Sequence, residues 1–134
     1  MIQAVNYLVL KNLMAVEYDE QLINLALWVS HRLDKFCITS AYRLNDPGVH
    51  GTIPCRGLDI RSFLYKDPDD ICRDINEHWI YDASRPSIKC ALYHDVGKGP
   101  HIHLQVCAKT YEHSQGRLDT TSAGDNLGYA GNPA

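Results

Sequence analysis

The clearest periodic segment runs from about Glu20 to Leu33. Leu22, Ile23, Leu25, Ala26, Val29 and Leu33 recur at helical spacing, and Asp19 supplies an N-cap ahead of them. This predicts a helix with one broad apolar stripe, and Trp28 reads as a core residue on its apolar face. Phe36-Cys37-Ile38-Thr39-Ser40 follows as a short strand. Asn45, Asp46, Pro47 and Gly48 then form a turn-rich loop. Gly57-Leu58-Asp59-Ile60-Arg61 alternates and predicts a second strand. Asp67-Pro68 starts a second helix with proline at its first position, and Ile71, Ile75, His78 and Trp79 make its apolar face. Ile88 to Tyr93 and Ile102 to Cys107 read as two more strands. Val96-Gly97-Lys98-Gly99-Pro100 between them suits a hairpin connection or a loop carrying site residues.

The order helix, strand, strand, helix, strand, strand predicts a single α+β domain. Its sheet is small and mainly antiparallel, with the helices packed on one face. From about Ser114 the chain changes to Gly, Ser, Thr, Asn and Asp with few large apolar groups. Such a stretch buries too little to offset its ordering entropy, so residues 114–134 are expected to be a flexible tail on a working domain of 1–113.

Length and composition agree with one ordinary globular domain. The chain has 134 residues, 45% hydrophobic and 22% charged. The net charge of -3 offers no global basic field for a nucleic-acid backbone, so no nucleic-acid partner is expected. No apolar run approaches the roughly 20 residues that span a bilayer. The first twenty residues lack a basic segment before their apolar stretch, and Lys11 interrupts it. They read as part of the domain, not as a signal peptide, which points to the cytoplasm. A monomer is expected. The five cysteines, Cys37, Cys55, Cys72, Cys90 and Cys107, are odd in number and form no CxxC pair. They read as free thiols, mostly buried.

The candidate chemistry lies in the histidines. His101-Ile102-His103-Leu104-Gln105-Val106 places two imidazoles on one face of a predicted strand and Ile102, Leu104 and Val106 on the other. His50 sits in a glycine-flanked loop, and Asp59 lies between Leu58 and Ile60. A carboxylate among apolar neighbours is costly without a partner. A metal would satisfy it, or an arginine such as Arg56 or Arg61. Two histidines and a carboxylate around an open fourth position make a catalytic zinc site, where zinc acts as Lewis acid and lowers the pKa of its bound water. A further base must take the proton, and the second histidine of the His101-Ile102-His103 pair or Asp95 is near enough in sequence to serve. His94-Asp95 reads either as a pair orienting a ligand or as an exposed His before a turn-forming Asp. Lys98 between two glycines is a faint phosphate-loop signal.

Thr39-Ser40-Ala41-Tyr42-Arg43, then Val49-His50, Arg56-Gly57-Leu58-Asp59-Ile60, and finally His101-Ile102-His103 resemble the zinc D-Ala-D-Ala carboxypeptidase superfamily. Phage L-alanyl-D-glutamate endolysins, murein endopeptidases and the hedgehog signalling domain belong to that group. The similarity covers roughly residues 20–107. It implies zinc ligands His50, Asp59 and His103. It implies His101 as base or transition-state stabiliser, Arg43 for the oxyanion, and Ser40 and Tyr42 shaping the pocket. The interval between His50 and Asp59 is longer than the superfamily's, and the acid many members carry just before the last ligand is absent; Asp95 is the nearest. The resemblance implies hydrolysis of D-amino-acid-containing peptides such as the peptidoglycan stem. It also implies a phage or prophage member that reaches a virion or the host cell wall. Two other readings compete. One is a non-catalytic zinc module of the same fold. The other is a DNA-nicking protein of the HUH class, which uses a His-hydrophobic-His strand with a nucleophilic tyrosine, here Tyr111.

Overall fold

A computed structural model describes residues 1–95, 97 and 99–113. The expected tail 114–134 and the Lys98 phosphate-loop reading lie outside the described residues. The order is β1 (Ile2–Ala4), α1 (Tyr7–Ala15), α2 (Glu20–Arg32), β2 (Phe36–Ser40), a 3-10 turn (Val49–Gly51), β3 (Gly57–Arg61), α3 (Pro68–His78), β4 (Trp79–Ile80), β5 (Ala91–His94), β6 (His101–Gln105) and β7 (Tyr111–Glu112). This is a small single-domain α+β protein. A five-stranded sheet runs β1-β2-β3-β6-β5, and β4 pairs with β7 in a separate ribbon. All pairings are antiparallel except β1 with β2, which is parallel.

The helices form where their local chemistry starts them. Asn6 and Asp67 cap α1 and α3 by accepting from Val9 and Asp70 amides, and Asp19 accepts from the Gln21 amide at the start of α2. Pro68 opens α3, as expected. The helix ends at His78, and Trp79 is already strand. Ile23, read as part of the α2 stripe, is exposed; the buried positions are Leu22, Leu25, Ala26, Val29 and Ser30. Trp28 is half-buried with the Arg32 guanidinium stacked on it, whereas Trp79 is buried.

Register decides what the sheet presents. Leu58 pairs with Leu104 and Ile60 with Ile102, while Ile38 sits opposite Ile60. These side chains share one face, and Val9, Leu25, Val29 and Ile75 from the three helices join them in one core. Asp59 pairs with His103 on the opposite face. A bulge between Ile38 and Ser40 lets Ser40 pair with Asp59 on that second face as well. All five cysteines are free. Burial pushes the Cys72 and Cys90 thiols up to about 12, so both behave as small hydrophobic side chains. Among the described residues, no helix is long and apolar enough to cross a membrane.

The loop from β4 to β5 is held by Asp82. Its carboxylate accepts from the Ser84 hydroxyl at 2.8 Å and amide at 3.0 Å, and from Arg85 Nε at 2.9 Å. Ser84, then Arg85, hold the Asp82 carboxyl down at about 2.

Two outcomes follow from this packing. Leu104→Ala, at a fully buried position, is expected to cost about 2–5 kcal/mol. The urea midpoint reads this directly, and an unchanged midpoint would mean that the face is not packed. Because the folded Asp82 value lies below the unfolded one, its contribution is full above about pH 4. It is lost as pH falls toward about 2. Asp82→Asn should therefore flatten the acid limb of the stability curve across that window.

Candidate metal centre

Three side chains from separate segments meet on the second face of the sheet. Asp59 comes from the middle of β3 and His103 from directly opposite on β6. His50 arrives on the 3-10 turn, which folds over the sheet because the Arg43 amide donates to the His50 carbonyl at 2.8 Å. All three are buried. Asp59 Oδ1 lies 2.8 Å from His103 Nδ1 and 3.1 Å from His50 Nε2, and the two ring nitrogens are 3.3 Å apart. A tetrahedral zinc with bonds of about 2.0–2.1 Å holds its ligands about 3.3 Å apart. The three separations fall at or slightly below that spacing.

Hydrogen bonding on the far side of each ring explains why these atoms face one another. His50 Nδ1 is 2.8 Å from the Ala41 carbonyl, which can only accept, so this nitrogen carries the proton. Gln105 Nε2 donates to the Lys89 carbonyl at 2.8 Å, which turns Gln105 Oε1 toward His103 Nε2 at 3.1 Å. That nitrogen is then also a donor. In the neutral rings, His50 Nε2 and His103 Nδ1 both present lone pairs to a carboxylate oxygen. Three acceptors in mutual contact need positive charge between them, either a proton on a ring nitrogen or a metal ion. Such outer hydrogen bonds are how proteins orient metal-binding imidazoles. The buried His50–Asp59–His103 group therefore has the donor set and spacing to hold a metal ion.

Charge around the group is arranged to match. Burial alone would raise the Asp59 carboxyl. When the facing ring nitrogens carry protons in place of a metal ion, hydrogen bonds from His103 and His50, and their charge, outweigh it and hold the group well below the usual carboxylate range. Asp59 is thus ionised at neutral pH, as a ligand must be. Its second oxygen, Oδ2, faces His101 Nε2 at 3.6 Å and Arg43 Nη1 at 3.8 Å. Arg43 is aimed by two further contacts, Nη1 to Ser40 Oγ at 3.1 Å and Nε to Asp46 Oδ2 at 3.0 Å.

The group opens onto a cleft of about 920 Å³. His50, Asp59, His103, His101, Arg43 and Ser40 all line it. Two other expected residues do not. Asp95 spends its Oδ1 on the Gly97 and Gly99 amides, at 2.8 and 3.1 Å, in an exposed turn. Tyr42 is half-buried away from the cleft, its amide donating to the Tyr18 hydroxyl at 3.1 Å. Arg56 and Arg61, considered as partners for Asp59, do not pair with it; Arg56 donates to the Val106 carbonyl at 3.1 Å. Tyr111 lies on β7 in the separate ribbon, and no tyrosine lines the cleft among the described residues.

Two further residues contribute: His94, read from sequence either as a ligand-orienting residue or as an exposed one, and Gln105, which sequence reasoning missed. His94 pairs with His101 across β5 and β6, with ring centroids 4.8 Å apart, and lines the cleft. Burial, then the His101 and His103 charges, press its pKa down. Its signal was strand parity, since a strand through His94 puts it opposite His101. Gln105 carries the same parity signal, two positions beyond His103.

Scans against models of protein families, against curated proteins and against solved structures each found no match.

His50→Ala, Asp59→Ala and His103→Ala should each abolish stoichiometric zinc uptake, measured as metal per chain after dialysis. Full occupancy in any of them would exclude this centre. Gln105→Leu keeps the ligands but frees the His103 ring, and should weaken zinc affinity by about 10–100-fold. A Cβ at Gly51 would collide with the Asp46 backbone. Gly51→Ala should therefore displace His50 and weaken zinc in the same assay.

Proposed function

We propose that the chain is a zinc-dependent peptidase-like hydrolase acting on short peptides that contain D-amino acids, such as those of the bacterial cell wall. The observation that carries this reading is the convergence of three ligand atoms, His50 Nε2, Asp59 Oδ1 and His103 Nδ1, at the base of an open cleft. Structural zinc sites close the ion with four protein ligands, whereas three ligands and an open side are the catalytic pattern. The D-peptide substrate class rests on the resemblance of the Ser40 to Arg43, His50, Asp59 and His101 to His103 segments to the D-Ala-D-Ala carboxypeptidase superfamily.

Zinc bound here would supply Lewis acidity and acidify a water at neutral pH. The chain's own groups supply the rest. His101 is the proton acceptor in this reading. Its Nδ1 lies 3.2 Å from the Gly99 carbonyl, which leaves Nε2 bare and directed at the Asp59 side of the centre. A peptide carbonyl that enters the cleft beside Asp59 meets the Arg43 guanidinium. Arg43 is held by Ser40 and Asp46 and stabilises negative charge on that oxygen without having to reorganise. Asp59 would hold the ion together with His50 and His103, whose rings are oriented by the Ala41 carbonyl and by Gln105.

The zinc-loaded chain should release new amino groups from purified cell wall, and chelation should stop it. His101→Gln should retain zinc and lower kcat by about 10²–10⁴-fold. Stoichiometric zinc with no hydrolysis of any cell-wall fraction would overturn the enzymatic reading in favour of a non-catalytic zinc module.

A further inference from the structure

Four charged side chains line the cleft: Arg43, Asp46, Asp59 and Arg61. Three of them are accounted for within the site. Asp46 pairs with Arg43 at 3.0 Å, and Asp59 is engaged by the imidazoles and by Arg43. Arg61 is different. It is half-buried, and among the described residues its guanidinium has no carboxylate within ion-pair distance. What it has is a stack, with Cζ 4.8 Å from the centroid of the Phe63 ring. Phe63 is itself a cleft residue and 74% exposed. A guanidinium laid on an aromatic face keeps its in-plane N–H groups free, in the fork geometry that matches a carboxylate.

The position is also built. Arg61 follows Asp59 by two residues on β3, so both point to the same face, about 7 Å apart along the strand. Its cross-strand neighbour is His101. The next residue, Ser62, is buried and donates its hydroxyl to the Pro100 carbonyl at 2.9 Å, which ties the end of β3 to the turn before β6.

We infer that Arg61, stacked on Phe63, is the specificity-determining residue of the cleft and receives a free carboxylate of the substrate one residue away from the bond that meets the metal centre. This deepens the peptidase reading and rests on it. It restricts the substrate class to anionic peptides. The carboxylate is either the chain terminus of the leaving residue or the side chain of an acidic residue beside the scissile bond. Both present the same two oxygens to the guanidinium.

The test is a binding measurement that needs no turnover. Zinc-loaded protein is titrated by NMR with N-acetyl-D-alanine, with its amide, and with N-acetyl-D-glutamate blocked as the α-amide. A charged ligand in a bidentate pair is expected to bind about tenfold or more tightly than its neutral counterpart. One of the two carboxylates should show that preference over the amide in the wild type, and which one does so assigns terminal or side-chain recognition. Arg61→Gln should erase the preference with zinc content unchanged. It should also raise KM on the matching peptide with little change in kcat. Equal binding of acid and amide by the wild type would overturn the assignment. A preference that survives in Arg61→Gln would overturn it too, because zinc or Arg43 would then be holding the anion. Neither result depends on hydrolysis, so a failure here is separate from a failure of the cell-wall assay.

Discussion

Everything in the site depends on the register between β3 and β6. Leu58 and Ile60 pair with Leu104 and Ile102, and the residue enclosed between them on each strand is Asp59 or His103. Side chains alternate across a strand, so one pairing scheme both buries four apolar groups and opposes a carboxylate to an imidazole. A slip by one residue would turn the aliphatic face to water and the ligands into the core. Four such side chains contribute on the order of 10 kcal/mol by burial. That is comparable to the whole stability of a domain. The core therefore enforces the geometry of the polar face without help from any bound ion.

The polar face then has its own accounting. A buried carboxylate beside two ring nitrogens needs positive charge there, as a ring proton or a metal ion, because burial penalises the lone anion. The protein does not relieve this by rotating the rings. It locks each ring from behind, His50 through the Ala41 carbonyl and His103 through Gln105, which is itself held by the Lys89 carbonyl. The chain thus keeps an arrangement with the donor set and spacing to hold a metal ion. The cost is offset by packing elsewhere, in Phe36, Leu22, Leu25 and Ile75, all fully buried. Structural devices that serve only stability do not need tautomers set in this way.

Much of this could be read in the sequence where periodicity was strong. α2, α3, β2 and β3 lie close to where the apolar pattern and turn residues put them, and strand parity was enough to place His101 and His103 on one face. Other elements left weaker traces. α1 reads Tyr7-Leu8-Val9-Leu10-Lys11-Asn12-Leu13-Met14-Ala15, apolar on nearly every side, so no stripe marks it. β1 is three residues long and pairs in parallel with β2, a partner more than thirty positions away. β5 begins at Ala91 and not at Ile88, because the chain before it is held in the Asp82 loop. Asp95 was plausible by proximity alone. Its carboxylate instead satisfies two amides of a turn with positive-φ glycines, at φ 98° for Gly97 and 92° for Gly99. That demand is invisible until the turn is built.

The surroundings of the three ligand atoms also bear on whether the centre works as a catalyst or as a clasp. A clasp excludes water and completes its coordination with protein. Here the groups that surround the opening are two further imidazoles, His94 and His101, and two guanidinium groups, Arg43 and Arg61. Each has its aim set by a second contact: His101 by the Gly99 carbonyl, His94 by the His101 ring, Arg43 by Ser40 and Asp46, Arg61 by Phe63. Side chains able to accept or donate protons and to stabilise anions, held in place around a group that could bind a metal ion, are the surroundings that the proposed hydrolysis would use. A site meant only to hold the fold together would gain more by replacing them with aliphatic groups of the same volume.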